Sequence, residues 1–209
     1  MPHDASPEAF ASRIRDHLLA GGEDSLLYAA LELRCAVESR MQAYLAPLDH
    51  VARSQKEDYS MPKLAKTTEN TFKIGEQMAI YTFAFDDGTP DLVLRYIPIS
   101  QRLRSIVARL GNVLHFPGEK NLENADWWRT LRSELTEGLA WFKLAAGGDL
   151  LGAPLMRRGS KQGKLYAVMS QADPRWPAFR RLATLPALRT KIAYEPLPDP
   201  NIAAALSAA

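Results

Sequence analysis

Arg109 and His115 bracket the run Arg109-Leu110-Gly111-Asn112-Val113-Leu114-His115 near the middle of this 209-residue chain. An arginine holds a phosphate through parallel N–H donors, and a histidine takes and returns a proton near neutral pH. Together they are the minimum equipment for cutting RNA without a metal. His115 would accept the proton of a ribose 2′-hydroxyl while Arg109 meets the charge that builds on the phosphate. On a single helix, however, six steps of about 100° set the two side chains roughly 120° apart. They converge only if two copies meet about a two-fold axis and each supplies half of the site, so catalysis by this pair predicts a homodimer.

The helix that must carry the pair runs from Ser100 to His115. Its buried stripe is Leu103, Ile106, Val107, Leu110 and Leu114, and Arg102, Ser105, Arg109 and Asn112 take the opposite face. Every ionised side chain on it is positive. Arg104, Ala108, Gly111 and His115 share one narrow flank, where small residues admit another backbone. The alternative is an arginine-rich solvated face, with His115 closing the helix's C-terminal carbonyls. On the preceding long helix, Arg34 and Glu38 lie in line with Leu27, Leu31, Met41 and Leu45. They form either a structural ion pair or a polar constellation that orients His115, with Asn112 and Arg104 as further supporting residues. Cys35, on the same helix, is expected to be buried.

Arg109 to His115 resembles the R-x4-6-H motif of the HEPN superfamily (higher eukaryotes and prokaryotes nucleotide-binding). The helix carrying Leu31-Glu32-Leu33-Arg34-Cys35-Ala36-Val37-Glu38 is similar to the one that precedes the motif in some members. The resemblance spans roughly residues 23–145. It implies an all-helical, often dimeric domain, in many cases a metal-independent ribonuclease and in others an inactive binder. A β-hairpin would then be an insertion into the bundle.

The remaining elements follow from periodicity and punctuation. Ser6-Pro7-Glu8 starts a helix that Gly21-Gly22 ends, and Asp24 or Ser25 caps a second helix to about Leu45. This second helix has two adjacent apolar seams, one of Leu27, Leu31, Met41, Leu45 and Leu48 and the other of Leu26, Ala30, Leu33, Val37 and Tyr44. Residues 49–70 read as a loop or an exposed helical extension. The β-rich runs 78–85 and 92–97 form a hairpin, which needs further strands or helices to be stable. Asn124 caps a helix to about Ala145. Residues 155–158 and 164–169 suggest a second hairpin, a short helix lies near 177–182, and residues 203–209 read as a frayed tail.

Residues 1–92 carry 15 acidic and 9 basic side chains, and residues 93–209 carry 9 and 17, so the second half is where an anionic partner would bind. The opposite signs would equally attract one another within the fold. Arg157, Arg158, Lys161 and Lys164 give a basic hairpin tip suited to phosphates, to which Arg102 adds, although a solvated turn explains them as well. Trp127 and Trp176 either stack a base or anchor the tail. The four histidines lack metal-ligand spacing, and neither a P-loop nor a dinucleotide-binding glycine pattern occurs, so no metal or cofactor is expected. With one cysteine, no apolar run of membrane length and no leader-like start, a cytoplasmic setting is the expectation.

Together these features describe an α+β chain. It is mainly a helical bundle with an inserted β-hairpin at about 78–97 and a second small hairpin near 155–169. The chain reads as a single domain over 1–209, with a helical core of about 6–145 and a basic C-terminal elaboration over 150–200. The expected function is a HEPN-like RNA- or nucleotide-binding protein, in its catalytic form a metal-independent endoribonuclease with a site shared across a dimer. The alternative is a non-catalytic domain that docks a partner protein through its hairpins and basic C-terminal half.

Overall fold

The computed structural model describes residues 4–58, 60–115, 118–153, 165–184 and 189–207. The chain is α+β and mainly helical, and it divides into two compact units. One is made from residues 1–70, 99–147 and 198–209, and the other from 71–98 and 148–197.

The first unit is helical. Helix α1 (Pro7–Ala20) begins where the Ser6 side chain accepts a hydrogen bond from the Ala9 amide at 3.2 Å. It ends at Gly21, whose φ of 75° suits a residue without a Cβ. Helix α2 (Glu23–Leu45) starts directly after Gly22, so neither Asp24 nor Ser25 is its cap; Glu23 and Asp24 instead occupy its first turn, where negative charge is favourable. Residues 49–70 prove largely helical, as α3 (Arg53–Lys56) and α4 (Met61–Phe72), because Met61 and Leu64 give α4 an apolar side that is buried. Helix α5 (Gln101–His115) carries the motif. Helix α6 (Glu119–Leu122) leads into α7 (Ala125–Ala146), whose Asn124 cap accepts from the Asp126 and Trp127 amides.

Helices α1, α2, α5 and α7 pack on one another around Leu33, Val37, Tyr44, Leu103, Ile106, Leu110, Leu135, Leu139 and Phe142, all buried. A Cβ on Gly138 of α7 would stand 2.6 Å from Leu33 Cδ2, so the missing side chain is what lets α2 and α7 approach. Arg40 is buried with them; its guanidinium donates to the Tyr44 hydroxyl at 3.1 Å and to the Ala145 carbonyl at 3.2 Å.

Three sequence expectations change here. The first seam of α2 is not buried along its whole length, for Leu31 is 46% exposed while Met41, Leu45 and Leu48 are covered. Cys35, midway along α2, is exposed rather than buried. The tail is not frayed over residues 203–207: Ala205 is buried, and Lys143 donates to its carbonyl at 3.3 Å.

The second unit is built on a three-stranded antiparallel sheet. Strands β1 (Gln77–Ala84) and β2 (Leu92–Tyr96) form the expected hairpin. Helix α8 (Trp176–Thr184) matches the short helix expected there. Strand β3 (Arg189–Pro196) was not expected; it pairs with the other edge of β1, giving the order β2-β1-β3. Ala79, Tyr81 and Phe83 share a buried face with Leu92, Leu94 and Tyr96. Most of the second hairpin near 155–169 falls on residues 154–164, outside the described residues. Its described end pairs elsewhere in this unit, with Ala167 bridging Leu150 and the Val168 amide donating to the Asp149 carbonyl at 2.8 Å. No described helix is long and apolar enough to cross a membrane.

Candidate functional site

The amphipathic pattern of α5 holds. Leu103, Ile106, Val107 and Leu110 are buried, Leu114 is half-buried, and Arg102, Ser105, Arg109 and Asn112 are exposed. The arginines are answered from neighbouring helices. Arg102 donates two hydrogen bonds of 2.6 Å to Glu137 of α7, and Arg109 pairs with Glu134, one turn earlier on α7, at 2.9 Å. The hydrogen bonds from Arg102 hold the Glu137 carboxyl below its ordinary pKa. Arg104 stands 3.6 Å from the Glu69 carboxylate of α4. The all-positive face of α5 is thus a seam of cross-helix ion pairs, each partly solvated.

The flank of Arg104, Ala108, Gly111 and His115 has a different character. Arg34 and Glu38 of α2 form an ion pair at 3.0 Å, and Arg34 Nη1 lies 3.4 Å from where a Cβ on Gly111 would sit. Gly111 admits a guanidinium against the α5 backbone, and that guanidinium belongs to the same chain. Arg34 and Glu38 are half-buried, while Ala108 and His115 are exposed and His115 is the last residue of α5. The fold therefore brings Arg34, held by Glu38, to the flank that His115 shares, and it directs Arg109 away from that flank toward α7. Exposed Cys35 lies one residue from Arg34; desolvation, then the carboxylates of Glu38 and Glu32, push its thiol pKa up, which disfavours the nucleophilic thiolate.

Arg157, Arg158, Lys161 and Lys164 lie outside the described residues. Trp127 is half-buried and packs edge-on against Trp128, with ring centroids 4.6 Å apart, and half-buried Trp176 packs on Phe179 of its own helix. Among the described residues no group of three His, Cys, Asp or Glu side chains is arranged to hold a metal ion.

Sequence reasoning passed over the acids that answer these arginines. Glu134 and Glu137 stand three apart on α7, a spacing that places both on one face. In the second unit, Asp149 accepts from Arg175 at 2.7 Å and from the Arg95 amide at 3.0 Å; Arg175 also bonds Asp173 and the Val93 carbonyl. Arg181 pairs with Asp87, whose carboxyl is lowered to a pKa of about 2, chiefly by hydrogen bonds from Thr89 and then from Arg181. The charge excess of the second half of the chain is in part spent internally.

No protein-family model, curated protein or solved structure matches this chain.

Proposed function

We propose that the helical unit is an HEPN-like module that binds RNA or a nucleotide, and that it becomes a metal-independent endoribonuclease where two copies bring Arg109 and His115 together. The observation that supports this reading is the packing of Arg34, itself paired with Glu38, on Gly111, which sets a guanidinium one turn before His115 on the same flank. The Arg109–Glu134 pair does not oppose it. Partly exposed ion pairs contribute only about 0–1 kcal/mol, so a phosphate can displace Glu134 at little cost. In the reaction, His115 takes the proton of the 2′-hydroxyl, whose oxygen attacks the adjacent phosphorus. The bond to the 5′-oxygen breaks, that oxygen is protonated as it leaves, and the products are a 2′,3′-cyclic phosphate and a 5′-hydroxyl. A second copy's histidine would serve as the acid.

The test is cleavage of single-stranded RNA by the purified chain in the presence of a chelator, with the ends analysed for cyclic phosphate. His115→Ala should reduce the rate by about 10²–10⁴-fold, the range for loss of a general acid–base group. Unchanged cleavage by that variant overturns the assignment.

A second reading is favoured by the internal ion pairs at Arg102, Arg109, Arg175 and Arg181. With these charges answered, the chain would be a non-catalytic domain that docks a protein partner. Under it, the wild-type chain neither cleaves nor retains RNA.

A further inference from the structure

The two edges of the sheet are finished differently. Along the outer edge of β2, Arg95 donates its amide to the Asp149 carboxylate at 3.0 Å and accepts from the Leu150 amide at 2.9 Å, and the Val93 carbonyl accepts from Arg175 at 3.2 Å. Strand β3 is the opposite edge, and no further strand pairs with it among the described residues. Its residues are exposed along nearly the whole length. By register, Ile192 lies opposite Tyr81 and Tyr194 opposite Ala79, so both point to the face that is buried over β1 and β2, yet they are 37% and 47% exposed. The buried face of the sheet stops one strand short.

We propose that β3 pairs antiparallel with β3 of a second copy of this chain, joining two three-stranded sheets into one of six strands. The centre of β3, residues 191–195, reads as its own complement. A two-fold axis perpendicular to the sheet keeps the buried faces on one side only if residues of the same parity face each other. With the axis at Ala193, Lys191 stands opposite Glu195 of the other copy, Ile192 opposite Tyr194, and Ala193 opposite itself. Lys191 and Glu195 meet their opposites, Ile192 and Tyr194 meet each other on the buried side, and the smallest residue sits at the axis; toward the strand ends Thr190 falls opposite Pro196 and Arg189 opposite Leu197. An aromatic against a β-branched residue and a cation against an anion are the favourable cross-strand pairs. A lysine on an edge strand ordinarily repels further strands; here each Lys191 has a Glu195 waiting. Such pairing is isologous, so it uses up the free edge, and because the β2 edge is already capped the assembly stops at two.

This interface is separate from the α5 flank on which the proposed ribonuclease site depends, and the two can be tested apart. The full chain would be examined by sedimentation equilibrium, with concentration-dependent hydrogen exchange read on residues 190–195. The wild type should associate to dimers and protect these amides as concentration rises. Lys191→Glu, which sets carboxylate against carboxylate twice per interface, should weaken association by at least about tenfold, and Glu195→Lys should do the same. The exchanged pair Lys191→Glu with Glu195→Lys restores complementarity and should return the dissociation constant to within about threefold of the wild type. Circular dichroism of each variant confirms folding at these exposed positions. Ala108→Arg, on the α5 flank, should abolish RNA cleavage while leaving β3 association intact. A chain that stays monomeric, single reversals without effect, or a double variant no better than the singles would each overturn the β3 pairing.

Discussion

Tyr44 in the helical unit and Tyr81 in the sheet unit are both buried, and they differ in what answers the hydroxyl. That of Tyr44 accepts from the Arg40 guanidinium, which also stacks over the ring at 4.9 Å. The hydroxyl of Tyr81 has no hydrogen-bond partner among the described residues. The contrast extends to the units around them. In the helical unit, apolar side chains from four helices interlock, and the buried charge of Arg40 is tied to Tyr44 and to the end of α7. In the sheet unit the apolar face is incomplete at β3, and order at the β2 edge is imposed by Asp149 and Arg175. One region is closed by packing and the other by a charged fastening, which makes their responses to substitution different in kind.

The largest effect should come from the fastening. Asp149→Ala removes the acceptor of the Arg95 amide and one of the two carboxylates on Arg175. Loss of a buried charged partner costs several kcal/mol, but Arg175 is 37% exposed and water will partly replace the missing carboxylate. A loss of about 2 kcal/mol is expected, read as faster hydrogen exchange along β1 and β2 and a lower urea midpoint. A change below about 0.5 kcal/mol would mean that packing holds this edge too, and the contrast would fall.

The tyrosine pair sharpens it at smaller scale. Tyr44→Phe leaves the buried Arg40 short of an acceptor and should cost about 1–2 kcal/mol, whereas Tyr81→Phe removes an unanswered hydroxyl and should be neutral or stabilise by up to about 1 kcal/mol. Equal costs at the two positions would show that Tyr81 has a partner after all. Burial raises the phenol pKa of both. Because the unfolded phenol ionises first, near pH 10, each contributes stability that is complete below that pH and is lost as pH rises toward the folded value. Tyr81→Phe should therefore shift the alkaline unfolding midpoint upward.

Helices α1, α2, α5, α7 and α8 and the first hairpin could be read from the sequence because their signals are local. Ser6, Gly21 and Asn124 punctuate helices, and the alternation of 78–85 is visible within a few residues. Strand β3 was hidden by its surroundings. Thr190, Ile192 and Tyr194 alternate with Lys191, Ala193 and Glu195, but prolines at 186, 196, 198 and 200 dominate the segment, and only the register against β1 makes the alternation meaningful. Of the candidate site, the faces of α5 and the openness of Gly111 were predictable from angular spacing. That Arg34 would fill the opening, and that Glu134 and Glu137 would draw Arg109 and Arg102 toward α7, depends on how α2, α5 and α7 pack, which no single helix encodes.

The order of the sheet bears on how the chain is made. Strand β1 is central, yet its second partner is encoded more than a hundred residues downstream, from Arg189 to Pro196. A ribosome therefore releases β1 and β2 long before β3 exists, and for that interval the growing chain carries an apolar strand with a naked side, the kind of surface that chaperones hold. Closing that ladder, with the large loop entropy such a distant pairing entails, sets a slow late step in folding, and an arrest of synthesis just short of residue 189 would leave a product with β1 still seeking a partner.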